Sequence, residues 1–84
     1  MGPLEHSLNI LAFGQASLFC GGGRFEISTS LPITVLQLRH LIQLRFPMMP
    51  ANYMVAIQLE YASNERIIDS PHLEIAIIPP VSGG

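Results

Sequence analysis

The residues best placed to do chemistry lie at the end of the chain, which reads Pro79-Pro80-Val81-Ser82-Gly83-Gly84. Gly84 carries an α-carboxylate at the very tip. With no side chains, a Gly-Gly end can enter a channel too narrow for any branched residue. Pro79 and Pro80 stiffen the exit toward an extended polyproline conformation, in which six residues span roughly 19 Å. The pattern is that of an accessible carboxylate on a narrow tether.

Other chemistry-bearing residues form no constellation. Gly21-Gly22-Gly23 lacks the following Lys and Ser/Thr of a phosphate loop and opens no helix, so it reads as a hairpin loop. Cys20 has no His nearby in sequence and no electropositive cluster around it, so it reads as a structural cysteine. His6, His40 and His72 match no metal-ligand spacing, and no metal site is expected. No paired carboxylates or triad can be assembled, so no intrinsic catalytic residue is expected.

Composition narrows the classes further. At 84 residues, the chain has room for one hydrophobic core. Hydrophobic residues make up 49% and charged residues 12%, against roughly 25% charged in an ordinary domain. So few charges imply apolar surface that a partner covers. Four Arg and no Lys against six Asp and Glu give a net charge of −2. That balance argues against nucleic acid and against a polybasic membrane contact. No apolar run approaches the roughly 20 residues of a membrane span. The N-terminus has no basic segment of a secretory signal, and His6 stands where a myristoylation signal needs Ser or Thr. A single cysteine fits a reducing compartment, and the cytoplasm is the expected location.

The elements that must position the tail follow from periodicity. Ser7–Phe13 reads as a strand with Leu8, Ile10 and Ala12 on one face and Asn9, Leu11 and Phe13 on the other. A loop over 15–23 leads into a second strand, Arg24–Ser28, with Phe25 and Ile27 inward, and the two strands suggest a hairpin. Thr34 is a good N-cap for a helix over Val35–Phe46 that Pro47 stops. Val35, Leu38, Leu41, Ile42 and Arg45 keep helical spacing, while Leu36 and Leu44 suggest a wider buried face or an extra contact. Tyr53–Glu60 reads as a third strand, Glu65–Ile68 as a short edge strand, and Leu73–Ile78 as the last strand. This order favours an α+β fold, with one helix across a mixed sheet of four to five strands. Residues 1–78 form one domain in this reading, and 79–84 an extended tail. If the first and last strands pair, Leu11, Phe13, Ala76 and Ile78 share the sheet face away from the helix.

The order of elements resembles the ubiquitin-like β-grasp fold. The ending Glu74-Ile75-Ala76-Ile77-Ile78-Pro79-Pro80-Val81-Ser82-Gly83-Gly84 resembles the small, sulfur-carrying subunit of molybdopterin synthase. Thr34-Val35 with Leu38-Arg39, and Glu60-Tyr61 after the third strand, add to the likeness. The sequence departs from that family's pattern at Ser70-Pro71-His72-Leu73, at Gln58 where Asn is usual, and in the Met-rich connector 47–52.

The resemblance implies a carrier without an active site or bound cofactor of its own. An E1-like adenylyltransferase would use ATP to adenylate Gly84. Sulfur would then replace AMP to give a C-terminal thiocarboxylate. Residues Pro79, Pro80, Val81, Ser82 and Gly83 would insert into the large synthase subunit, within a heterotetramer, and deliver sulfur to a pyranopterin precursor to form the molybdopterin dithiolene. Leu11, Phe13, Ala76 and Ile78 would then dock the domain on that subunit, with core packing as the alternative role for Phe13 and Ile78. Sulfur carriers for thiamin or tRNA thiolation and ubiquitin-like protein modifiers also end in Gly-Gly, and both remain open.

Overall fold

A computed structural model describes residues 5–80. The carrier tip expected at Gly84, with Val81, Ser82 and Gly83, lies outside the described residues. Strand β1 (Glu5–Ala12) is followed by a one-turn helix α1 (Ala16–Phe19) and by β2 (Arg24–Ser30). A two-residue strand β3 (Ile33–Thr34) leads directly into helix α2 (Val35–Arg45). Then come β4 (Met54–Ile57), β5 (Glu60–Tyr61), β6 (Ile67–Ile68) and β7 (Ile75–Ile78). Five strands form one mixed sheet in the order β2-β1-β7-β4-β5, and β3 pairs with β6 beside it.

The alternation in β1 does what its residue types demand. Leu8, Ile10 and Ala12 are buried, while Asn9 and Phe13 face solvent and Leu11 is half-buried. The antiparallel hairpin with β2 sets Leu8 opposite Ile27 and Ile10 opposite Phe25, so both strands put their apolar residues into one core. β7 joins β1 in parallel and β4 antiparallel, placing Ile75 and Ile77 at the centre of the sheet.

Helix α2 covers this face through Val35, Leu38 and Ile42, all fully buried. Its start is a capping box. The Gln37 amide donates to Thr34 Oγ1 at 3.1 Å, and the Thr34 amide donates to Gln37 Oε1 at 2.8 Å. Its end is fixed at Phe46, whose ring meets Phe25 edge-on with centroids 4.9 Å apart. The wider buried face suggested by Leu36 and Leu44 does not form, since they are 43% and 80% exposed.

Two expectations are corrected. The loop 15–23 contains α1, which seats Ala16 in the core. The straight strand expected over Tyr53–Glu60 is broken after Ile57. Gln58 and Leu59 both take positive φ, 52° and 70°, and reverse the chain so that β5 pairs back on β4. Two successive positive φ values are those of a tight hairpin turn whose twist matches the strands. The alternation read across Gln58 and Leu59 therefore ends at the turn.

Candidate functional site

Parallel pairing of β1 with β7 sets Leu11 directly beside Ala76. Phe13 lies just beyond the paired segment, where its amide donates to the Ile77 carbonyl at 3.2 Å. Leu11, Phe13, Ala76 and Ile78 therefore lie together on the face away from α2. They line a shallow concavity of about 320 Å³ with Ala56, Leu59, Tyr61 and Glu74. Phe13 is 50% exposed, which removes core packing as its role. Leu11 and Ile78 are half-buried, and Ala76 is nearly covered.

Strand parity placed Leu11, Phe13, Ala76 and Ile78 together, set Glu74 on the face of Ala76 and Ile78, and put Ala56 on the face opposite Leu59, whereas Leu59 and Tyr61 were not expected here. The missing signal was the reversal at Gln58-Leu59, which folds Tyr61 back onto the sheet. That turn is held from β7's side. The Gln58 amide donates to the Glu74 carbonyl at 2.9 Å, and Gln58 Oε1 accepts from the Glu74 amide at 2.6 Å.

The tail leaves from the end of β7 between two concavities. On the side opposite the apolar face, Pro79 and Pro80 border a groove of about 370 Å³ with Ala16, Phe19, Met49 and Tyr53. Its floor is the connector 47–53, tied to α2 by polar side chains. Both terminal nitrogens of Arg39 donate to the Tyr53 carbonyl, at 2.9 and 2.7 Å. The Arg39 guanidinium also lies 4.6 Å from the centre of the Tyr53 ring. Gln43 donates to the carbonyls of Pro47 and Met49, each at 3.2 Å.

Where β1 ends, the chain passes beneath Pro79. Gly14 has a φ of +57°, and a β-carbon there would lie 3.2 Å from Pro79 Cγ. The Gly14 carbonyl accepts from the Ser17 hydroxyl at 2.8 Å and from the Ser17 amide at 3.2 Å, which begins α1.

The remaining reactive side chains stay apart. Cys20 Sγ is 4.0 Å from Met49 Sδ, and burial pushes its thiol pKa up, with Arg45 opposing. A thiol shifted in that direction is a poorer source of thiolate at neutral pH. Burial likewise raises the Tyr53 phenol, with Arg39 opposing and Cys20 adding to the shift. Among the described residues no three His, Cys, Asp or Glu side chains are grouped to hold a metal. No helix among them is long and apolar enough to cross a membrane.

No protein-family model matches the chain. No curated protein matches it either. Solved structures do match. Small archaeal modifier protein 1 from Haloferax volcanii superposes with a TM-score of 0.76 at 19% identity, covering 93% of this chain and 99% of that one. A Pyrococcus furiosus protein assigned provisionally as subunit 1 of a molybdopterin converting factor gives 0.78 at 17% identity, covering 90% and 99%. The Haloferax volcanii protein HVO 2177 gives 0.77 at 12% identity, covering 100% and 92%. With its mixed five-stranded sheet crossed by one main helix, the chain has the ubiquitin-like β-grasp fold shared by these proteins.

Proposed function

We propose that the chain is the sulfur-carrier subunit of a molybdopterin synthase. The observation that carries this reading is the apolar face of Leu11, Phe13, Ala76 and Ile78 at the root of a Pro-Pro-Val-Ser-Gly-Gly tail. A carrier needs a surface that docks while its tip reaches into another protein's active site. Here that surface and the tail originate on adjoining central strands. The β-grasp fold and the likeness to the Pyrococcus furiosus protein agree with this reading.

The chemistry runs through the Gly84 carboxylate. An E1-like enzyme transfers AMP from ATP to the carboxylate and releases pyrophosphate. A sulfide-level nucleophile then attacks the acyl carbon and expels AMP, leaving a thiocarboxylate. Residues 79–84 carry the sulfur into the large subunit, where it attacks the pyranopterin precursor. Hydrolysis of the acyl–sulfur bond leaves sulfur on the precursor and regenerates the carboxylate. The carrier contributes reach and a narrow profile, and its partners contribute the acids and bases. Residues 1–78 serve as the docking domain, in the cytoplasm.

The likeness to small archaeal modifier protein 1 favours a second reading, in which Gly84 is joined to amines of other proteins. High-resolution fragmentation of the C-terminal peptide, on protein purified from its own host, separates the two. Sulfur located on Gly84 supports the carrier. A plain carboxylate on free chain, with other copies linked through Gly84 to foreign lysines, overturns it and favours the modifier. Fragmentation is required because replacing oxygen by sulfur changes mass almost as much as oxidising one of the four Met residues.

A further inference from the structure

We propose that Gly14 is the positioning residue that sets the direction in which the tail leaves the sheet. The inference rests on reading the tail as the reacting end, and it concerns how that end is aimed. Three observations converge on this residue. Its φ of +57° lies in the left-handed region that favours glycine. A β-carbon would sit 3.2 Å from Cγ and 3.8 Å from Cδ of Pro79, the first well inside the roughly 3.5–4.0 Å optimum for carbon pairs. Gly14 is also held on both sides. Phe13 before it bonds to the Ile77 carbonyl, and the Gly14 carbonyl receives two bonds from Ser17.

The anchored β1–α1 turn cannot easily give way when a side chain is added at position 14. Pro79 is the freer of the two, because it lies beyond the last paired residue of β7. A methyl group at position 14 therefore pushes on the Pro79 ring, which must give by a few tenths of an ångström. With its φ fixed by the ring, Pro79 passes a rotation on to Pro80. The bare α-carbon of Gly14 acts as the seat against which the tail is set.

Two variants separate contact from backbone strain. Gly14→Ala adds both. Gly14→Asn adds the same β-carbon, but Asn accepts the left-handed backbone more readily. In the labelled full-length chain, nuclear Overhauser contacts from Gly14 Hα to the Pro79 ring are expected in the wild type. Both variants should rotate the Cα–Hα residual dipolar couplings of Pro79 and Pro80 and leave those of β1, β2 and β4 unchanged. Unchanged Pro79 couplings in either folded variant overturn the inference, as does movement in Ala alone, which would reduce the effect to strain.

Kinetics with the host's ATP-dependent activating enzyme supply the functional readout. Misaiming a reactive end by about 1 Å can cost up to about 100-fold in rate. Both variants should lower kcat severalfold at nearly constant KM, since they alter the aim of the tail and not the exposed surface of the sheet. A parallel rise in KM, or an unchanged kcat, overturns the aiming role. A wild-type chain that is never adenylated counts against the carrier reading, whereas the couplings judge Gly14 independently.

Discussion

Gln58 and Glu74 hold each other through two backbone-directed hydrogen bonds, 2.9 and 2.6 Å long, that tie the β4–β5 turn to the entrance of β7. This clamp compensates a left-handed residue that is not glycine. Its neighbour Leu59, at a φ of 70°, has no such compensation and is 89% exposed. A left-handed conformation costs a non-glycine residue about 1–2 kcal/mol. Leu59→Gly is expected to raise stability by about 1 kcal/mol, and Gln58→Ala to lower it by about 1–2 kcal/mol. Urea unfolding midpoints at constant slope measure both, and a destabilised Leu59→Gly would contradict the strain argument.

Phe13 offers a cleaner test of the proposed docking face. It is half exposed, so Phe13→Asp should leave the fold intact and shift the unfolding midpoint only slightly. Removing a central aromatic from an interface typically costs about 2 kcal/mol or more in binding. Titration with the proposed partner, a large molybdopterin synthase subunit, should therefore show at least about a tenfold rise in Kd. An unchanged Kd would show that the partner docks elsewhere.

Arg39 secures the connector that carries Met49 and Tyr53 into the core. Its planar fork places two donors on one carbonyl, which a lysine ammonium cannot reproduce with the same geometry. Arg39→Lys should lower stability by about 1–2 kcal/mol. In hydrogen exchange, the loss should concentrate in residues 47–53. A uniform loss across the sheet would show that the clamp is not local.

The alkaline limb of stability has a determined sign. Burial raises Tyr53 and Cys20 above their ordinary values, so the folded chain holds both protons more tightly than the unfolded chain. Their contribution is complete below the ordinary thiol and phenol values of about 8.5 and 10. It disappears as pH rises through the higher folded values. Stability should therefore decline above about pH 9, with a shallower decline in Tyr53→Phe. An equally steep decline in that variant would assign the effect to other groups.

Much of this architecture is legible in residue order because the local signals agree. Strict alternation marks β1 and β2, Thr34 marks the start of α2, and Pro47 marks its end. The apolar face of Leu11, Phe13, Ala76 and Ile78 followed from parity once β1 and β7 were placed side by side. The β4–β5 reversal was hidden because Met54–Leu59 is continuous with strand-like residues and contains no Gly, Pro, Asn or Asp. The turn is held from a distance by the backbone of Glu74, sixteen residues away. α1 was hidden for the opposite reason, since four residues are too few for a periodic pattern. Gly14 looked like the end of a strand, and its contact with Pro79 exists only after folding.

The central place of β7 has a consequence for synthesis. Among the described residues it is the last strand made, yet it is the one that joins β1–β2 to β4–β5. A growing chain that stops before Ile75 holds two ribbons with no strand between them. Such two-stranded ribbons are marginal in water, so interrupted products remain open to proteases. Translation must nearly reach the tail before the domain can close. Chains that stop before β7 are left exposed by the same event that denies them a central strand.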